Sequence, residues 1–129
     1  MEDDALKIRV FDELLSVCKV ITFDTVDFSR ELTFTGSTDE ELSLVCPTAA
    51  VPDVTLARED GWRAFRIEGV LDFSLVGILA QISTVLAAAG VGIFAVSTFN
   101  TDYILVKDEN LAKALRALGD AGYEVERHR

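Results

Sequence analysis

The residues best placed to do chemistry lie at one junction, in the stretch EGVLDFSLVGILAQI (68–82). A strand-like segment ends at Gly69 and an apolar run begins at Leu75, with Asp72 and Ser74 between them. The start of a helix presents unpaired backbone N–H groups and the positive end of the helix dipole, which together favour a carboxylate or a phosphate. Asp72 or Ser74 is expected to cap this helix, and one cap leaves further N–H groups free. The junction is therefore a candidate site for a small anion.

No other part of the chain offers a set of catalytic side chains. His128 is the single histidine and stands next to last in a charged tail, so no Ser/His/Asp or Cys/His set can be assembled. Metal ligation needs His or Cys clusters or a spaced calcium loop, and neither is present. The GxG of AGVGIF follows a helix and precedes a strand, the reverse of a dinucleotide fingerprint. We therefore expect no catalytic residue, no metal and no cofactor.

Composition and charge narrow the class of protein. The chain has 129 residues, of which 12 are Lys or Arg and 22 are Asp or Glu, giving a formal charge of −10. Such a surface repels phosphate backbones and anionic membranes, so neither nucleic acid nor a membrane is an expected partner. Cys18 and Cys46 lie apart in apolar runs and are expected to be buried free thiols. The start MEDDALKIRV lacks an export signal, so a cytoplasmic protein is expected.

One long uncharged run, from Phe73 to Thr101, is long enough to cross a bilayer. Gly90 and Gly92 divide it, however, into a piece of helical period and a piece rich in β-branched and aromatic residues. Its flanks are acidic and carry no basic anchor. We expect a buried helix followed by a buried strand.

The second half of the chain has the clearer pattern, with the element order βαββαβ. Asp108 is expected to cap the second helix, and the strand at 91–98 is apolar on both faces, as in a strand that is central or covered on both sides. This order predicts an α+β fold, the ferredoxin-like sandwich with two helices on one face of a four-stranded sheet. The elements are RAFRIEG (63–69), a helix over 75–89 ending at Gly90, VGIFAVST (91–98), DYILVK (102–107), ENLAKALRALGDAG (109–122) and YEVER (123–127).

The first half repeats the rhythm more faintly, with strands but only a short helical turn in CPTAAVP (46–52). It is interpreted as a reduced copy packed beside the second half, so that the domains are 1–57 and 61–129, with the link near 57–61. The strand candidates are ALKIRVF (5–11), LSVCKVITF (15–23), ELTFTGS (31–37) and ELSLVCP (41–47), with a turn at 37–40.

Two strings, LDFSLVGILA (71–80) and IFAVSTFNTDYILV (93–106), resemble the ACT domain family. The likeness is to small stand-alone proteins with two ACT halves, similar to the regulatory ACT pair of aspartate kinases and to the cytosolic arginine sensors. ELSLVCP (41–47) resembles the N-terminal half of that group, so the likeness covers nearly the whole chain. The resemblance implies a reduced ACT-like half at 1–57 and a complete ACT domain at 61–129.

The resemblance also implies a function: non-catalytic, allosteric regulation by an L-amino acid held at an ACT–ACT interface. Arginine or another basic amino acid is the first expectation. The sequence does not identify the regulated partner, for which an enzyme is one candidate. The apolar helix with a small, uncharged second face favours a homodimer. The alternative is a ligand-free interaction module. The ligand-binding residues that the resemblance implies are Asp72, Phe73, Ser74, Leu75, Val76 and Gly77 in the loop, and Phe94, Ala95, Val96, Ser97, Thr98 and Asp102 on the hairpin.

Overall fold

A computed structural model describes residues 6–68 and 77–127 of the chain. These residues form eight strands and two α-helices, which confirms the predicted α+β class. Short 3₁₀ turns occupy Thr48–Ala50 and Asp108–Asn110. The strands are β1 (Lys7–Val10), β2 (Leu15–Val20), β3 (Phe34–Ser37), β4 (Leu42–Pro47), β5 (Ala57–Glu68), β6 (Phe94–Ser97), β7 (Asp102–Lys107) and β8 (Glu124–Arg127), and the helices are α1 (Ile78–Ala88) and α2 (Leu111–Asp120).

The chain divides into two compact units. The larger unit comprises residues 1–12 and 63–129, and the smaller unit comprises residues 13–62. The boundary falls within β5, which therefore contributes residues to both units. The link expected near 57–61 is part of this strand, because residues 57–62 pair antiparallel with β2. The larger unit is thus discontinuous in sequence.

The larger unit contains a sheet with the strand order β8-β1-β5-β7-β6. Strand β1 lies between β5 and β8, antiparallel to β5 and parallel to β8, so that Ile8 opposes both Ile67 and Val125. The sequence pattern placed this strand in the N-terminal half and predicted four strands here, whereas the sheet has five. Ile8 and Val10 are fully buried, which makes β1 an integral part of this core.

The two helices contribute to one apolar core with the strands of the larger unit. The period of the apolar residues along α1 and α2 is the reason that one side of each helix is buried. Gly90, with φ 78°, follows α1, and the N–H of Val91 bonds the carbonyl of Leu86 at 2.9 Å. This arrangement is a Schellman motif and confirms the expected glycine C-cap. The core residues are Ile8, Val10, Phe65, Ile67, Ile82, Leu86, Val91, Ile104, Val106, Leu111, Ala114 and Leu118.

Two expectations for this unit were wrong. Asp108 does not cap α2: it begins a 3₁₀ turn, and Asn110 takes the N-cap position without a side-chain bond. The Asp108 carboxylate instead accepts a bond from the Arg63 guanidinium at 3.1 Å. Strand β6 is not central, since among the described residues it pairs with β7 alone and its residues are half-buried or exposed in alternation. The prediction from apolar composition therefore gave this strand more burial than the structure shows.

The smaller unit has the strand order β3-β4-β2-β5. All four strands expected in the first half are present at the predicted places, but only β2, β3 and β4 belong to this unit, since β1 belongs to the larger one. The expected helical turn follows Pro47. Ser16 lies at a register shift between β2 and β5 and is fully buried. Its hydroxyl donates to Asp60 Oδ1 at 2.6 Å and shares a 2.8 Å bond with Thr48 Oγ1. These bonds satisfy a polar group that burial would otherwise make costly.

Both cysteines belong to the core of the smaller unit and are free thiols, as predicted. Burial raises the pKa of Cys46 to about 11, with the neighbouring Cys18 adding to the effect. Burial also raises the pKa of Cys18. Burial therefore disfavours the thiolate, the reactive form, at both cysteines. Of the helices in the described residues, none combines the length and apolarity needed to cross a membrane.

Candidate functional site

A cleft of about 240 Å³ opens in the larger unit beside the β6–β7 hairpin, the end of β5 and the start of α1. This volume lies a little below the roughly 300–1,000 Å³ of pockets that hold drug-sized molecules, so the cleft suits a smaller ligand. Its lining is apolar at one side and polar along the hairpin. The lining residues are Ile67, Ile78, Thr98, Phe99, Asn100, Thr101 and Asp102.

The hairpin turn that forms one wall of the cleft is held by several hydrogen bonds. The N–H of Thr98 bonds the carbonyl of Thr101 at 2.8 Å, and the Thr98 hydroxyl donates to the same carbonyl at 3.0 Å. The Thr101 hydroxyl donates to the carbonyl of Ile67 at 2.9 Å, which ties the turn to the end of β5. The wall is thus built on fixed backbone, as a selective site requires.

Asp102 supplies the charge among the seven lining residues. It opposes Ser97 in the β6–β7 register, two residues from the pair formed by Ala95 and the fully buried Ile104. Alternation along a strand therefore places Asp102 on the face of the sheet that carries Ile104. The Ser97 hydroxyl donates to Asp102 Oδ1 at 2.6 Å. A half-buried carboxylate that is the single charge among the described lining residues favours a cationic ligand group.

The start of α1 forms another side of the cleft, through Ile78. Gly77 is the N-cap, with φ 89°, and no side chain of the described residues caps the helix there. Backbone N–H groups of this first turn and the helix dipole favour an anionic ligand group at this end. The loop residues expected to take part, Asp72, Phe73, Ser74, Leu75 and Val76, lie outside the described residues, as do the expected caps among them.

The remaining predicted contact residues lie on the β6–β7 hairpin. Thr98 and Asp102 line the cleft, whereas Phe94, Ala95, Val96 and Ser97 do not. Sequence reasoning did not single out Ile67, Ile78, Phe99, Asn100 and Thr101 as lining residues. Phe99 could have been identified from the sequence, because an aromatic residue at a predicted hairpin turn is unusual unless it has a role there. Its ring is fully exposed beside the cleft.

A second charged cluster lies on the opposite face of the sheet. The Arg66 guanidinium lies 5.0 Å from the centre of the Phe11 ring and 5.7 Å from that of Tyr103, and it donates to the Tyr103 hydroxyl at 3.1 Å. Glu68 bonds both Arg66 and Arg9. The hydrogen bond from Arg66 lowers the pKa of Glu68. Arg9 also lies 3.8 Å from Glu126, so each arginine has a carboxylate partner and the cluster joins β1, β5 and β7.

Metal ligation finds no support in residues 6–68 and 77–127, where no three His, Cys, Asp or Glu side chains come together as a metal site. The described cleft offers groups for binding: a carboxylate for a cation at one end and a helix start for an anion at the other.

Residues 57–120 match the family model of the ACT domain. Over 69 residues the chain is 39% identical to the human cytosolic arginine sensor for mTORC1 subunit 1. That alignment covers 51% of this chain and 21% of the human protein. The chain thus spans about a fifth of the length of the curated relatives that it matches.

Solved structures match over nearly the whole chain. A crystal structure of a protein from Agobacterium tumefaciens aligns with a TM-score of 0.84 and 26% identity, covering 97% of this chain and 95% of that one. The ligand-free regulatory subunit of aspartate kinase from Thermus thermophilus aligns with a TM-score of 0.63 and 11% identity, covering 90% and 95%. At that identity the second match shows a shared fold. Residues 57–120, about half of the chain, are therefore an ACT domain by the family model that they match.

Proposed function

We propose that this chain is a non-catalytic regulatory protein that binds an L-amino acid with a cationic side chain. The observation that carries the proposal is the position of Asp102, which supplies the charge in a small cleft beside the start of α1. The two ends of the cleft are suited to opposite charges. A basic amino acid has an α-carboxylate and a distal cation, so it complements both ends.

In this proposal the ligand's carboxylate binds N–H groups at the start of α1, a contact that the sequence predicts for residues 74–77. Its distal cation is placed on Asp102, with the walls formed by Ile67 and Thr98. The loop residues 72–76 stay part of this proposal as predicted contacts. The relatives support arginine as the first candidate, because the human relative is named a cytosolic arginine sensor. Lysine and the amino acids of the aspartate pathway follow, because an aspartate kinase regulatory subunit shares the fold.

Calorimetry with L-arginine is the direct test. A ligand at 100 times its Kd stabilises the native state by about 2.7 kcal/mol, which raises the melting temperature of a domain this size by several degrees. Replacing Asp102 by Asn is expected to weaken arginine binding by about 1.5–3 kcal/mol, the value of a hydrogen bond to a charged group. Binding of L-citrulline, the neutral analogue of arginine, is expected to change far less.

The smaller unit offers a matched control for this substitution. Asp27 is exposed, and its Oδ1 accepts a bond from the Ser29 hydroxyl at 2.6 Å, the same length as the Ser97–Asp102 bond. Asp27→Asn removes the same charge from the chain but is expected to leave arginine binding unchanged. If none of the twenty amino acids binds at millimolar concentration, amino-acid sensing is overturned and the ligand-free interaction module becomes the better hypothesis.

We also propose that the protein is a homodimer that pairs through α1. The solvent-facing side of this helix carries no charge. Two chains of formal charge −10 approach most easily through an uncharged surface. The exposed α1 residues are Ala80, Gln81, Thr84, Ala87 and Ala88.

The dimer can be tested by light scattering at tens of micromolar. Ala87→Glu places two like charges at a symmetric interface and is expected to raise the dimer Kd at least about tenfold, since 1.4 kcal/mol of repulsion corresponds to that factor. Ala112→Glu, at an exposed position of α2, is the matched control and is expected to leave the dimer intact. A wild-type chain that scatters as a monomer would contradict the dimer.

A further inference from the structure

Ser97 and Asp102 form a directly opposed pair at the end of the β6–β7 hairpin. The backbone bond between Thr98 and Thr101 closes the turn next to them. In the alternating pattern of an antiparallel ladder, the pair beyond such a bonded pair has no backbone bonds of its own, and its side chains come closest. The 2.6 Å contact between Ser97 Oγ and Asp102 Oδ1 is a short, charge-assisted hydrogen bond.

The two side chains have different relations to the cleft. Asp102 lines the cleft and is half-buried, whereas Ser97 is exposed and does not line it. A carboxylate has about four acceptor positions, so one bond to Oδ1 leaves acceptor capacity for a ligand. The Ser97 hydroxyl thus acts on the carboxylate from outside the cleft without occupying the place of the ligand.

From this geometry we infer that Ser97 is a positioning residue, which fixes the Asp102 carboxylate in the orientation that receives a cationic ligand group. The inference rests on the proposed function and gives Ser97 an indirect role in place of the direct contact implied by resemblance. A side chain ordered before binding does not lose its freedom when the ligand arrives, which improves affinity by about two- to tenfold.

The test is calorimetry with L-arginine and L-citrulline. Ser97→Ala is expected to weaken arginine binding about fivefold and citrulline binding less than about twofold, because the hydroxyl acts through the charged carboxylate. Ser97→Thr keeps the hydroxyl on a strand position that accepts a β-branched residue, so it is expected to restore wild-type affinity. Ser29→Ala removes the matched hydroxyl–carboxylate bond in the smaller unit and is expected to have no effect. If lysine is the stronger ligand, L-lysine and L-norleucine replace this pair.

A double-mutant cycle separates positioning from a general structural role. In the Asp102→Asn background, adding Ser97→Ala is expected to change arginine affinity by less than about twofold, since the positioned group is already neutral. Three results would overturn the role of Ser97 and leave amino-acid binding intact. Ser97→Ala could weaken arginine and citrulline binding equally, could still weaken arginine binding fivefold in the Asp102→Asn background, or could leave arginine affinity unchanged. Wild-type protein that binds neither arginine nor lysine would overturn both proposals.

Discussion

Replacing Ile8 by Ala is expected to lower the free energy of unfolding by about 3–5 kcal/mol, near the upper part of the range for buried Ile and Leu. Ile8 is fully buried between Ile67 and Val125, so its truncation leaves a cavity between two neighbouring strands. Such a loss is a large share of the roughly 5–15 kcal/mol that stabilises a typical protein. Urea unfolding followed by circular dichroism measures the change.

Lys7, the neighbouring residue of β1, provides the control. Its side chain is exposed and lies 3.5 Å from Glu126, an ion pair that contributes about 0–1 kcal/mol. Lys7→Ala is therefore expected to unfold at nearly the wild-type urea concentration. A similar, small effect of both substitutions would contradict the placement of β1 inside the larger unit. The same placement predicts that residues 57–129 alone, although they contain the matched ACT segment, do not form a stable domain.

Arg63→Met is expected to destabilise the larger unit by about 3 kcal/mol. The Arg63 side chain is 14% exposed, and its guanidinium donates to the carbonyl of Phe11 at 3.0 and 3.3 Å and to Asp108 at 3.1 Å. It joins the segment after β1 to the turn that precedes α2. Hydrogen bonds to charged groups are worth about 1.5–3 kcal/mol each, and methionine keeps only the apolar stem. Urea unfolding again provides the measurement.

Two further substitutions test whether the planar fork of Arg63 matters. Arg63→Lys keeps the positive charge near Asp108 but lacks the geometry to bond two acceptors at once, so it is expected to recover less than half of the loss. Arg116→Met makes the same chemical change at an exposed position of α2 and is expected to stay within about 0.5 kcal/mol of the wild type. If Arg63→Lys restored the full free energy of unfolding, the positive charge alone would account for the contribution of Arg63.

Elements with a strong local signal were predicted well from the sequence. Strand β7 and the glycine stop after α1 were placed correctly, because alternation and the left-handed cap are properties of neighbouring residues. The partner of β1 could not be predicted, since a strand pattern does not state which strand it pairs with. Asp108 was misassigned for a related reason: Arg63, 45 residues earlier in the chain, takes its carboxylate.

The candidate site was predicted in part. Asp102 and Thr98 line the cleft, and the residues of the family strings supplied that signal. The indirect position of Ser97 behind Asp102 depends on the register of two strands, which is fixed by the turn geometry at Phe99 and Asn100 rather than by the identity of either residue. Ile67 reaches the cleft because Thr101 ties the turn to β5, a contact with no local pattern.

The position of β1 has a consequence for synthesis of the protein. Residues 13–62 are synthesised as one continuous segment, so all strands of the smaller unit are available early. Strand β1 emerges before them, yet its parallel partner β8 ends at residue 127. At about 5–20 residues per second, β1 waits several seconds for that partner. Completion of the ACT-containing unit therefore follows the synthesis of β8, and its slow step is the closure of contacts between β1 and β8, which are far apart in sequence.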